Sequence, residues 1–187
     1  MPVPRLRSED TTLLVVDMQE RLLPAIVDRE RVVNNCVVML QLVRELNLPF
    51  LVTEHYPQGL GRTVEAVSAA MFDPSARIEK TRFSAMVDVV DDLLTAWRRS
   101  TVLVCGIETH VCVLQTVLDL QASGRQAFVV SDAISAAHRD QGPPALRRME
   151  SAGAVVTGVM SSMYELLGDA AHPARRACVG LAKTIQQ

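Results

Sequence analysis

Three residues of this chain combine a reactive side-chain type with a placement suited to acyl transfer: Asp17, Lys80 and Cys112. Cys112 lies in Gly106-Ile107-Glu108-Thr109-His110-Val111-Cys112-Val113, where a β-type run breaks at glycine and a helical pattern begins. Early in a helix the backbone N–H groups are unpaired and the dipole favours negative charge. Both effects lower a thiol pKa and favour the nucleophilic thiolate, and the same N–H groups could hold an oxyanion. Asp17 could take the thiol proton and return it to a leaving amine, and Lys80 could pair with Asp17 and steady the thiolate. Plain roles stay open for each: a small buried thiol, a turn aspartate after a strand, a solvated lysine. Their shared placement carries the weight of the functional reading. Each sits at or just past the C-terminal end of an expected strand, where open parallel sheets bind ligands. Cys105, inside a strand, and Cys36, on an apolar helical stripe, read as inert core.

The strands that would carry these residues are short apolar runs at 11–16, 49–53, 101–105, 127–131 and 154–157, with a weaker one at 77–79. They do not alternate polar and apolar, as expected for strands buried on both faces. Helical stripes fill the gaps: Val33, Cys36, Val37, Leu40, Val43 and Leu46, with Asn47 as a stop; Val87, Val90, Leu94 and Trp97; Val111, Leu114, Val117, Leu118 and Gln121, closed by Gly124; and a helix opened by Pro144 and ended by Gly153. Strand–helix alternation predicts a single-domain α/β fold, a mostly parallel six-stranded sheet with helices on both faces. The domain spans 1–187, with its core at about 11–168 and a helical tail at 169–187. Ala174, Ala177, Cys178, Leu181 and Ile185 make the tail amphipathic, so it docks either on its own domain or on a second subunit.

Composition excludes several classes of partner. The 19 basic and 21 acidic residues leave a net charge of −2, which argues against nucleic acid or an anionic membrane. Aromatics are 4%, so the core must be aliphatic. No apolar run is long enough for a membrane span, and the first ten residues have no signal-like stretch. Four cysteines without a CxxC pair fit free thiols in a reducing cytoplasm. The expected partner is a small-molecule substrate.

Leu14-Val15-Val16-Asp17-Met18-Gln19, Glu79-Lys80-Thr81-Arg82-Phe83-Ser84 and the Gly106-to-Val113 segment resemble, in order, the three signatures of the isochorismatase-like cysteine hydrolases. That family includes nicotinamidases and N-carbamoylsarcosine amidohydrolase. The resemblance implies an Asp17–Lys80–Cys112 triad, a cis peptide at Ile107–Glu108, and an oxyanion hole from the backbone N–H groups of Glu108 and Cys112. It also implies a pocket lined by Gln19 and Phe83, with Tyr56 closing it from the loop 56–62, and assembly as a homo-oligomer. Thr53-Glu54-His55-Tyr56-Pro57-Gln58-Gly59-Leu60-Gly61 and Leu167-Gly168-Asp169-Ala170-Ala171-His172-Pro173 are similar to the isochorismatase-domain-containing subgroup. One departure concerns metal. Metal-binding relatives carry an Asp-x-His after the second strand, where this chain has adjacent Glu54 and His55. Adjacent residues on extended backbone point opposite ways, so His55 is assigned to the pocket wall and no metal or other cofactor is expected. The expected activity is cysteine-dependent cleavage of a C–N bond in a small amide through a thioester. The alternatives are a nitrile or ether hydrolase of the same family, or a non-catalytic binding or scaffold protein that keeps the fold.

Overall fold

The computed structural model describes residues 3–186. Its centre is β1 (Thr11–Val16), every residue of which is buried. It is flanked by β2 (Phe50–His55) and β4 (Thr101–Ile107), and outside these by β3 (Arg77–Lys80), β5 (Gln126–Ser135) and β6 (Val155–Thr157). All the pairings are parallel, in the order β3-β2-β1-β4-β5-β6. Parallel strands demand crossovers, and these are mostly helical: α1 (Arg29–Glu45), α2 (Pro57–Leu60), α3 (Glu65–Ala70), α4 (Asp88–Ala96), α5 (Leu114–Ala122) and α6 (Gly142–Ser151). After β6 come α7 (Val159–Leu167) and α8 (Arg175–Ala182).

Alternation along β1 builds two cores. Leu13 and Val15 pack with α1, α7 and Cys178 of α8, while Leu14 and Val16 pack with α4, α5 and α6. Each fully buried aliphatic side chain contributes about 1.5–3 kcal/mol, which lets an aliphatic core replace an aromatic one. The strand order reverses between β1 and β4, so the crevice at their C-terminal ends is the place where a ligand fits.

All six expected strands are present, and the helix stops fall where expected: Asn47, Gly124 and Gly153 all adopt positive φ. Three helices were not expected. α2 is a single turn, α3 buries only Val67, and the stripe of α7 is interrupted by Ser161 and Ser162. β5 runs four residues past the expected end at 131, so Asp132 lies within it. Its carboxylate accepts the Val159 N–H at the start of α7 (2.9 Å). The tail folds onto its own domain. Fully buried Asn35 of α1 exchanges hydrogen bonds with Gln186, side-chain Nδ2 to carbonyl (3.0 Å) and backbone N–H to Oδ1 (3.0 Å). Cys178 is buried beneath it.

Gly106 is where β4 meets β1 most closely. At its φ of +111° a Cβ would stand 2.1 Å from the Val16 carbonyl oxygen, a backbone atom that cannot yield. Gly106→Ala is therefore expected to destabilise the fold by at least about 3 kcal/mol, read as a lowered urea midpoint; an unchanged midpoint would contradict this packing.

Candidate active site

The sheet brings Asp17, Lys80 and Cys112 to one end. Asp17 is the first residue past β1, fully buried and held at φ +51°, an unfavourable region for a non-glycine residue. Such outliers collect where a side chain must be aimed. Each carboxylate oxygen accepts a hydrogen bond: from Thr53 Oγ1 to Oδ1 (2.7 Å) and from Lys80 Nζ to Oδ2 (2.6 Å). Lys80 ends β3, separated from β1 by β2, so the pair must bridge two strand spacings, roughly 10 Å. The long lysine stem covers part of that distance and the Asp17 side chain covers the rest. The other two ammonium protons go to the carbonyls of Arg82 (3.1 Å) and Phe83 (2.9 Å). The ammonium thus has a defined acceptor for every proton.

Cys112 follows β4 across a cis Ile107–Glu108 peptide. It lies in a wide turn, Thr109–Val113, in which the Val113 N–H reaches the Glu108 carbonyl five residues back (3.2 Å). The turn runs directly into α5. Wide turns of this type recur at functional sites. The thiol is 6% exposed. Helix-start placement alone suggested a lowered pKa, but the structure reverses that. Burial pushes the thiol up to about 12, the Asp17 charge adds to the rise, and Lys80 opposes it. Desolvation of the thiolate and a carboxylate nearby outweigh the helix end. The resting group is a thiol with the Asp17 carboxylate beside it.

The other expected residues divide into two kinds. His55 and Phe83 stack with ring centroids 5.3 Å apart, Phe83 half-exposed, and His55 lies close enough to Lys80 and Asp17 to feel both charges. Burial and the Lys80 charge lower the His55 pKa, so the imidazole is neutral near neutral pH, and its Nδ1 is buried without a partner among the described residues. Tyr56 is also half-exposed, and its ring covers Gly59, where a Cβ would come within 2.3 Å of it. Gln19, by contrast, is fully buried and its amide is engaged. Nε2 donates to the carbonyls of His55 (3.0 Å) and Gly61 (2.8 Å), and Oε1 accepts the His55 N–H (2.7 Å). It holds the loop that carries Tyr56 rather than offering a free polar group. Glu54 points away from His55. Its carboxylate takes the Thr63 N–H (2.8 Å), Thr63 Oγ1 (2.7 Å) and Arg62 (2.8 Å). Burial would raise the Glu54 pKa, but these donors together hold it below the usual value. Among the described residues no three His, Cys, Asp or Glu side chains converge as a metal set. A cleft of about 390 Å³ borders Lys80, Thr81 and Arg82, but neither Asp17 nor Cys112 lines it.

Two contributors escaped sequence reasoning. Thr53, which orients the Asp17 carboxylate, was visible only as part of an apolar strand. The carbonyls of Arg82 and Phe83 carry no sequence signal at all, because any residue supplies one.

The isochorismatase domain model matches residues 11–161. The chain belongs to the isochorismatase family. Isochorismatase domain-containing protein 2A of Mus musculus is 37% identical over 90% of this chain and 81% of its own. The secreted isochorismatase effector Isc1 of Phytophthora sojae is 37% identical over 96% and 87%. Among solved structures, MAR1 ribonuclease of Caenorhabditis elegans superposes with a TM-score of 0.91 at 32% identity, covering 95% of this chain and 92% of that one. The YcaC gene product of Escherichia coli, described as an octameric hydrolase of unknown specificity, gives 0.86 at 26% identity over 98% and 90%. At coarse level the family is one of hydrolases. No helix among the described residues is long and apolar enough to cross a membrane.

The sign of the thiol shift is testable. Removing the Asp17 charge removes one cause of the raised pKa and leaves Lys80 to favour the thiolate. Asp17→Asn is expected to alkylate at Cys112 at least about tenfold faster than the parent with iodoacetamide near neutral pH, one pKa unit being a tenfold change in thiolate. Peptide mapping reads the rate, and a slower reaction would mean that Asp17 does not raise the thiol.

Proposed function

We propose that this chain is a cysteine-dependent amidohydrolase that cleaves a C–N bond of a small amide through a thioester. The observation that carries the reading is the pairing of a protonated, buried Cys112 thiol with a neighbouring Asp17 carboxylate held by Thr53 and Lys80. A thiol that were already ionised would need no base; this one does.

In the proposed cycle, Asp17 takes the Cys112 proton as sulfur attacks the carbonyl carbon. The carbonyl electrons move to oxygen, which develops negative charge against the backbone N–H groups of Glu108 and Cys112. The Glu108 N–H donates to no acceptor among the described residues, as a group reserved for such a charge should. The C–N bond then breaks as Asp17 returns its proton to the leaving nitrogen. Water, deprotonated by Asp17, attacks the thioester carbonyl, and the carboxylic acid leaves as sulfur regains a proton. Lys80 stays cationic throughout and offsets the changing charge on its neighbours. His55, Tyr56 and Phe83 form the substrate walls.

Lys80 has all three protons engaged, so it has none to give a substrate carboxylate. That favours an uncharged reacting end. The net charge of −2 argues against a polynucleotide substrate. We further infer assembly as a homo-oligomer, as in the octameric relative, and residence in a reducing cytoplasm suited to four free thiols.

The decisive measurement is ammonia release from a panel of small amides and nitriles, with mass spectrometry of the quenched enzyme. The parent is expected to gain one acyl group on Cys112. Cys112→Ala is expected to lose at least about 10³-fold in turnover, the scale on which such nucleophiles act. Hydrolysis by Cys112→Ala at the parent rate would sink the triad, release from nitriles alone would move the reading to that class, and no turnover of any compound would favour the scaffold. A chelator is expected to leave turnover unchanged, because Glu54 is bound to Thr63 and Arg62 and unavailable beside His55; loss of activity restored by zinc would overturn the metal-free reading.

A further inference from the structure

Fully buried Thr116, one turn into α5, makes two hydrogen bonds through one hydroxyl. Its Oγ1 donates to the Cys112 carbonyl (2.6 Å) and accepts the Ala85 N–H (2.8 Å). The first bond alone would be ordinary, since a helical threonine often donates to the carbonyl four residues back. The second is not local: Ala85 belongs to the irregular segment between β3 and α4, 31 residues away in the chain. The same segment presents the Arg82 and Phe83 carbonyls that accept two of the three Lys80 ammonium protons. One hydroxyl therefore bridges the turn that holds the nucleophile and the loop that orients the lysine.

We propose that Thr116 is a positioning residue, which fixes the distance between the Lys80 loop and the Cys112 turn so that lysine, carboxylate and thiol keep their places. The inference rests on the reading of Cys112 as nucleophile. Without the hydroxyl, the buried Ala85 N–H loses its acceptor, which is the costly half of a broken hydrogen bond. The segment 81–86 then shifts to find another partner, and the carbonyls gripping Lys80 move with it. The thiol feels charge from Asp17 beyond β1, Lys80 of β3 and Glu108 beyond β4, while His55 of β2 faces the Asp17–Lys80 pair. Of these, Lys80 alone favours the thiolate, so a displaced lysine slows thiolate formation.

The test compares Thr116→Val, which keeps the shape and removes the hydroxyl, with Thr116→Ser, which keeps the hydroxyl and removes the methyl. Cys112 alkylation by iodoacetamide is followed from about pH 7 to 10 by peptide mapping. Thr116→Val is expected to react about tenfold more slowly and to shift its pH profile upward by about one unit. Thr116→Ser is expected to stay within about threefold of the parent with an unshifted profile. If Thr116→Val fails to fold, Thr116→Ala serves in its place. A parental profile in the hydroxyl-free variant would overturn the inference, as would a serine variant as slow as the valine one, since a packing role follows the methyl and not the hydroxyl. Hydrolysis of a small amide by Cys112→Ala at the parent rate would overturn the nucleophile reading, and this inference with it. Once a substrate is known, Thr116→Val should lower kcat with KM nearly unchanged.

Discussion

The Asp17–Lys80 ion pair is the constraint around which the C-terminal end of the sheet is arranged. Both side chains are removed from water, and desolvating two charges costs several kcal/mol per ion unless their remaining hydrogen-bonding capacity is met. The surroundings meet it: Thr53 serves the second carboxylate oxygen, and the Arg82 and Phe83 carbonyls take the remaining ammonium protons. These needs shape the backbone. Asp17 turns into positive φ to aim its carboxylate, and the segment after β3 folds back so that its carbonyls face its own lysine.

That ion pair also sets the state of the nucleophile. A thiol near the start of a helix is usually activated by the helix end. Here a buried position and a facing carboxylate act more strongly in the opposite sense, because the low local polarisability penalises any new anion next to one already present. The arrangement keeps Cys112 protonated at rest. In the proposed cycle, inertness between turnovers and general-base activation would have the same physical origin. Cys36, Cys105 and Cys178 are buried as well, and the Asp132 and Glu45 charges add to the rise of the Cys105 and Cys178 thiols.

A second layer of support surrounds the mouth. Gln19 and Glu54 are both buried polar residues whose groups are used on backbone or on neighbouring side chains of the loop that carries Tyr56. Glu54 and His55 illustrate how the two-residue period of a strand sorts adjacent side chains. The carboxylate is tied to Thr63 and Arg62, the imidazole rests on Phe83, and Thr53 on the near side reaches Asp17. A single strand end thereby serves loop anchoring, wall building and carboxylate orientation.

The alternation of short apolar runs with helical stripes was enough to determine the six strands, the parallel sheet and the residues at its ends, because burial on both faces writes a continuous aliphatic run into each strand. The placement of Asp17, Lys80 and Cys112 at strand ends was legible for the same reason, and the motif resemblance joined them into one site. α2, α3 and α7 were not legible: they are short or weakly striped, and tertiary packing rather than periodicity stabilises them. Gln19 was expected to line the pocket; its part as a loop anchor was not legible, because its partners are backbone groups brought near only by folding. Helix position alone points to a lowered Cys112 pKa and the Asp17 charge to a raised one; which wins was not legible, since burial is decided by elements distant in the chain. Residue types and their period are properties of the chain itself, and they determined the fold class and the candidate triad. Desolvation, carbonyl acceptors and the Thr116 bridge depend on which distant backbone atoms come within hydrogen-bond reach, and only the tertiary structure decided those.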